Sequence, residues 1–163
     1  MNTINTNRLV IRAVQRNEAR QYCAVNELRS ESEALDQIQG WDSSGATQLF
    51  FISRNASGPS ELAVSEGTVV GFIKITRGPP SEVSIATHWT AQGRGYMREG
   101  CRSVFTEWFR THGSQDLFVE TRSDNAAVIA LMDGYRIPHL RGNWSRVGSI
   151  SWTFGWATWR YAS

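Results

Sequence analysis

Apolar residues recur along this chain with two periods, and the switches between them lay out its elements. Residues 7–14 alternate, with Leu9, Ile11 and Ala13 set against Arg8, Val10 and Arg12, which predicts an amphipathic strand. Over residues 17–26 the repeat becomes helical and places Ala19, Tyr22, Cys23 and Asn26 on one side. A second helix is predicted over 30–39, capped by Ser30 or Ser32 and stopped by Gly40. Residues 45–47 read as loop and 48–54 as strand, followed by a Ser-, Gly-, Pro- and Ala-rich hairpin connection over 55–66. Strands are predicted over 69–76, with Gly71 inside, and over 82–89, separated by the turn Gly78-Pro79-Pro80.

The strongest helical signal comes next. Met97, Cys101, Val104, Phe105 and Trp108 share one face of a 3.6-residue period. Arg98, Glu99, Arg102, Ser103, Glu107 and Arg110 fill the other, and Gly113 after His112 is a normal stop. A strand over 116–121 leads through a polar stretch to Asn125, a short helix over 126–133, Gly134-Tyr135 and a further extended segment. The order is strand, two helices, three antiparallel strands, helix, strand, helix and two strands. It predicts an α/β chain of the α+β kind, a mixed and mostly antiparallel sheet of about seven strands flanked by helices.

Composition narrows the classes. A chain of 163 residues fits one domain over 1–163. Seventeen basic against fifteen acidic residues, with no basic run, argues against a nucleic-acid partner. No apolar run reaches the roughly 18 residues of a membrane span, and residues 1–5 carry neither the basic nor the apolar region of a secretory signal, so a cytoplasmic protein is expected. The sequons Asn55-Ala56-Ser57 and Asn143-Trp144-Ser145 are then chance matches. Cys23 and Cys101 make neither a disulfide framework nor a metal site and read as small buried hydrophobes, and no metal is expected.

The segment that carries chemistry is Gln92-Gly93-Arg94-Gly95-Tyr96-Met97-Arg98-Glu99, between a strand and the strong helix. Glycine allows a tight turn and a close approach of the main chain to a ligand. The unpaired N–H groups and positive dipole end of a helix start favour an anion, and phosphate most of all.

These landmarks resemble the GNAT family of N-acetyltransferases. The family pattern Gln/Arg-x-x-Gly-x-Gly/Ala is matched by Gln92-Gly93-Arg94-Gly95-Tyr96-Met97. The variant Gly-x-Gly-Tyr-x-x-Glu-Ala, from the subgroup that acetylates ribosomal-protein N-termini and some antibiotics, reads here as residues 93–100, ending Glu99-Gly100. Asn125 and Gly134-Tyr135 match later landmarks, residues 6–12 the family's first strand, 149–154 its last, and Trp159-Arg160 a common tail. Met97 stands where the family places Gly or Ala. Met132 stands where many members place a tyrosine that protonates the leaving thiolate.

The resemblance implies an acyl-CoA-dependent N-acyltransferase, with acetyl-CoA as co-substrate and a primary amine of a peptide or small molecule as acceptor. Pantetheine would pair with the main chain near Thr87, His88 and Trp89. The pyrophosphate would sit on the N–H groups of residues 93–97, placing Trp89, Gln92, Gly93, Arg94, Gly95, Tyr96, Met97 and Asn125 at the cofactor. Arg94 either touches phosphate or points to solvent, and Asn125 either holds the acyl arm, caps its helix, or does both. Direct attack by a neutral amine needs a base or a water path and an oxyanion donor, but no protein nucleophile. His88 and Glu82 are the base candidates, on one strand face with Ser84; Glu120 is weaker, and Asp133, His112 and His139 are further from consideration. Glu99 reads as ordering the loop rather than reacting.

Acceptor pockets in such folds are built here by about residues 22–41 and 138–156, with Trp41, Trp144 and Trp152 as a possible aromatic lining. Glu27, Glu31, Glu33 and Asp36 read either as an acidic steering cluster or as a solvated helix face. A homodimer is expected. Two alternatives stay open: a binding or regulatory module that keeps the fold without transfer, and a related enzyme acting differently on a small metabolite.

Overall fold

The structure is a computed structural model and describes residues 1–55, 64–113, 115–135 and 149–155. Its strands are β1 (Ile4–Asn5), β2 (Leu9–Ala13), β3 (Thr47–Ser53), β4 (Val69–Ile75), β5 (Ser81–Thr87), β6 (Leu117–Arg122) and β7 (Ser149–Phe154). Its helices are α1 (Ala19–Asn26), α2 (Glu31–Ser44), α3 (Tyr96–His112) and α4 (Ala126–Asp133), with single 3-10 turns at Arg16–Glu18 and Trp89–Ala91. The strands form one sheet in the order β1 to β7. Every pairing is antiparallel except β5 with β6.

Alternation along the strands divides the apolar residues between two layers. Leu9, Ile11, Leu49, Phe51, Ile73, Val83, Leu117, Val119, Trp152 and Phe154 join Met97, Cys101, Val104, Phe105 and Trp108 of α3 in the larger core. Phe50 and Phe72, from the opposite face, meet Tyr22 and Val25 of α1 and Ala34 and Ile38 of α2 in the smaller one. The Tyr22 and Phe72 rings meet edge to face at 5.0 Å, a preferred aromatic geometry.

Four details depart from expectation. Helix α2 runs through Gly40 and stops at Gly45, whose φ of 71° is the left-handed cap that glycine adopts most readily. One interior glycine costs about 1 kcal/mol. The extra turn recovers Trp41, whose ring sits 3.5 Å beneath the Lys74 ammonium, and the Ser43 and Ser44 hydroxyls bond back to Gln39 and Trp41 carbonyls. Strand β5 ends at Thr87, because residues 89–91 turn into a 3-10 helix. The short β1 was not anticipated. The expected strand after Tyr135 falls outside the described residues, as do His139, Trp144, the Trp144 sequon, residues 159–160 and most of the 55–66 connection. Trp152, read as part of a pocket lining, is fully buried in the larger core, and its indole donates to Asp133 at 3.2 Å.

Candidate active site

Strands β5 and β6 pair only from Ser81 with Leu117 to Val83 with Val119. Each then continues, β5 to Thr87 and β6 to Arg122, so the parallel pair parts after Val83. Glu82 on β5 and His88, one residue beyond its end, turn their main-chain groups toward β4. The Glu82 carbonyl accepts from Thr76 at 2.9 Å, and His88 N donates to the Val70 carbonyl at 3.1 Å. Successive residues of a regular antiparallel ladder turn these groups to opposite sides. The main-chain groups of Ile85 and Thr87 therefore face the opening toward β6.

A groove of about 680 Å³ occupies that opening. Ile85 and Thr87 line one wall, and Val128 and Leu131 of α4 line the other. Gln92, Gly93 and Gly95 form its end with Tyr96, Met97 and Arg98 from the first turn of α3. Gly93 and Gly95 have φ of 72° and 77°, a region that a side chain resists. A Cβ on Gly93 would meet nothing within 4 Å, so the turn presents bare main chain there. The turn opens a helix of seventeen residues, and the first N–H groups of a helix, which have no partner within it, suit a phosphorylated ligand.

The groove thus gathers Gln92, Gly93, Gly95, Tyr96, Met97 and Asn125. Arg94 and Trp89 stand outside its lining: Arg94 is half-buried, and Trp89 projects 62% exposed from the 3-10 turn beside it. Asn125 caps α4 by accepting from Val128 N at 3.2 Å while its amide donates to Thr121 Oγ1 at 3.0 Å, and the residue also lines the groove. Met97 is accommodated because Gly71 on β4 lacks a side chain; a Cβ there would lie 3.0 Å from the Met97 methyl.

The two base candidates are not brought together. Glu82 lies where β5 and β6 are still paired, exposed and beside Lys74, whose pKa burial lowers and the Glu82 charge raises, for a net decrease. His88 lies six residues on, roughly 20 Å along an extended chain, at the open end. Its Nδ1 is 2.8 Å from Thr90 Oγ1. The ring lines a second cleft, of about 400 Å³, on the α1 side of the sheet, with Arg12, Glu18, Gln21, Ile52 and Val69. Ser84 is exposed on the face of Lys74, its cross-strand neighbour. Glu120 accepts from Ser149 at 2.6 Å. His112 stacks on Trp108 at 3.9 Å, on the distal turn of α3. Cys101 is fully buried, and burial pushes its thiol pKa up, which suits packing and not attack.

The Arg12–Glu18 pair in the second cleft was not singled out from sequence. Two guanidinium nitrogens meet two carboxylate oxygens at 2.9 and 2.5 Å. The Arg12 hydrogen bonds lower the Glu18 pKa against the opposing effect of burial, helped by the Gln15 main chain and the Arg12 charge. Arg12 alternating out of a strand and Glu18 opening a helix were visible separately; their meeting depends on the turn between them.

Behind the glycine turn, Glu99 accepts from Thr6 Oγ1 at 2.5 Å, Arg8 N at 3.1 Å and Arg8 Nε at 2.7 Å. Burial raises its pKa, but those hydrogen bonds and the Arg8 charge outweigh it, for a net decrease. Glu99 thus ties the N-terminal hairpin to the first turn of α3. In the acidic stretch near α2, Glu33 is spent on the helix start: its main chain donates to Ser30 Oγ and its carboxylate accepts from Arg29 N.

The candidate site is thus a parted strand pair over a glycine turn that opens a helix. The profile of the acetyltransferase (GNAT) domain matches residues 8–135, and the chain belongs to that family of acetyltransferases. Similar solved structures include an acetyl transferase from Salmonella typhimurium that modifies the N-terminal serine of a 50S ribosomal subunit protein, at 14% identity and TM-score 0.70, covering 94% of this chain and 99% of that one. RimL, a ribosomal α-N-protein acetyltransferase solved in complex with coenzyme A, matches at 13% identity and TM-score 0.69, covering 94% and 98%. FdhC, a nucleotide-linked sugar GNAT, matches at 12% identity and TM-score 0.73, covering 98% and 93%. At such identities the likeness carries the GNAT fold. No curated protein matches the sequence. No helix among the described residues is long and apolar enough to cross a membrane.

Proposed function

We propose that this GNAT acetyltransferase uses acetyl-CoA as donor and acetylates a primary amine, of a peptide terminus or a small molecule, in a ternary complex. The observation that carries the reading is the groove between the parted strands, ending on Gly93 and Gly95 at the start of α3. Its residues fit the donor: the glycine turn and helix start at residues 93–97, with open main chain at Gly93, for the diphosphate, and Ile85 and Thr87 main-chain groups for the amides of the arm. Gln92 and Asn125 lie at the same groove, while Trp89 and the Arg94 side chain are assigned to its rim. Bound acetyl-CoA supplies an acetyl thioester whose sulfur leaves as thiolate.

The chain's own task is to orient the donor and deprotonate the acceptor. We assign the base to His88, acting directly or through water from the α1-side cleft. Nδ1 lies 2.8 Å from Thr90 Oγ1; in the tautomer whose Nδ1–H donates to that hydroxyl, Nε2 is the unprotonated atom and would take the ammonium proton. Glu82, at the closed end of the strand pair, is the second choice. Met132 is fully buried and carries no acid, so the reading routes protonation of the thiolate through solvent.

The acceptor is proposed as a peptide N-terminus first. The Salmonella and RimL relatives act on such termini, and the Arg12–Glu18 cleft offers both charges. A nucleotide-linked amino sugar follows from the FdhC likeness. A cytoplasmic, single-domain protein and a homodimer, with no nucleic-acid or membrane partner, complete the proposal. The test is calorimetric titration with acetyl-CoA, followed by thiol release against a panel of peptides and amino sugars. Saturable binding with amine-dependent thiol release is expected. Binding without release to any amine would overturn transfer, and no binding would overturn the donor site.

A further inference from the structure

One side chain reaches the glycine turn from the N-terminal hairpin. Arg8 begins the strand segment before Leu9. Its main chain is pinned by Arg54 N donating to its carbonyl at 2.8 Å and by its own N–H on Glu99 at 3.1 Å. Its guanidinium makes three contacts at once. Nε meets Glu99 Oε2 at 2.7 Å, Nη1 donates to the Arg94 carbonyl at 2.9 Å, and the group lies 4.7 Å over the Tyr96 ring. Glu99 is in turn steadied by Thr6. The fork geometry of arginine makes this triple contact possible, and a lysine ammonium has no equivalent.

The Arg94 carbonyl is half of the peptide unit whose other half is Gly95 N–H. In a planar trans peptide the carbonyl and N–H point in opposite directions. With the carbonyl held by Arg8, the Gly95 N–H points away from Arg8, and Gly95 lines the donor groove. Gly95 has φ of 77° in this state, and glycine tolerates both signs of φ. The reversed peptide is therefore open to the turn unless something selects against it. Reversed, it would turn a carbonyl dipole where an anion should sit.

We propose that Arg8 is a positioning residue that locks the 94–95 peptide with its N–H toward the groove. It thereby sets affinity for the diphosphate part of the donor. The inference rests on the donor reading given above. Arg8 stands outside the lining of the groove and acts through Arg94 and Glu99.

The experiment is calorimetric titration of the unaltered protein, Arg8→Gln and Arg8→Lys, each with CoA and with pantetheine, which lacks the diphosphate and nucleotide. The lock predicts that both variants lose CoA affinity by about tenfold or more, the worth of one hydrogen bond to a charged group. Pantetheine affinity should stay within about twofold, since its contacts lie on β5. Arg8→Lys keeps a cation near Glu99 and decides the matter if Arg8→Gln does not fold. Equal losses for both ligands would assign Arg8 to general stability and overturn the lock. Unchanged CoA affinity in a folded variant would also overturn it. Failure of the unaltered protein to bind CoA would overturn the donor reading itself, and the lock with it.

Discussion

Phe51 of β3 sits between two glycines. It pairs across the strands with Gly71 of β4 and faces Gly100 of α3. A Cβ on Gly100 would fall 2.3, 2.5 and 2.7 Å from three carbons of the Phe51 ring. Carbons rest at about 3.5–4.0 Å, so the ring would have to retreat by more than about 1 Å. It is fully buried, and close packing leaves it little room. Overpacking of this kind costs about 1–3 kcal/mol, and this clash belongs at the upper end. Alanine regains about 1 kcal/mol of helix propensity over glycine. The net expectation for Gly100→Ala is a loss of about 2 kcal/mol, or a melting temperature lower by about 4–8 °C for a chain of this size.

The control is the same substitution in another helix. Gly40 lies inside α2 with nothing within 4 Å of a Cβ, so Gly40→Ala should gain up to about 1 kcal/mol and melt higher. Thermal and urea unfolding of both variants, and of Gly100→Ala combined with Phe51→Leu, make a complete test. The smaller ring-site residue should restore part of the loss and show a favourable coupling. If Gly100→Ala melts at or above the parent, or if Phe51→Leu adds its full cost on top, the slot is not filled as described. The matter bears on the donor groove, because Met97 lies one turn earlier on the same face of α3 and against Gly71.

Three further outcomes are expected. His88→Ala should lower kcat/KM for a good amine by about 10²–10⁴-fold, with Thr90→Val giving a smaller loss in the same direction; an unchanged kcat/KM would move the base elsewhere. Glu99 has a folded-state pKa below its unfolded value, so its stabilisation is present above about pH 4.3 and is lost as pH falls through the lower folded value; melting temperature should drop more steeply below that pH in the parent than in Glu99→Gln, and parallel curves would contradict the latch. Asn125→Ala should cost about 1 kcal/mol as a lost helix cap, with Asn125→Asp restoring most of it; CoA affinity measured alongside tells whether the groove uses the side chain as well.

Periodicity made most of the architecture legible, because burial on one face imposes it. Leu9 and Ile11 on one side of β2, and Met97, Cys101, Val104 and Phe105 on one side of α3, are all in the larger core as their spacing predicts. What escaped depends on contacts distant in sequence. Gly40 reads as a stop, but Trp41 one residue later finds Lys74 across the sheet and the helix goes on. His88 reads as strand by alternation, yet β5 ends one residue before it and its ring enters a cleft with Arg12 and Glu18. The glycine turn shows the same division at finer grain. Gly93 and Gly95 mark where the main chain can be bare and tightly turned, and that much is local. The freedom that marks them also leaves the direction of the 94–95 peptide undetermined by composition. That direction follows from a carbonyl held by Arg8, 86 residues upstream, so whether the turn offers an anion a donor or an acceptor is a tertiary property.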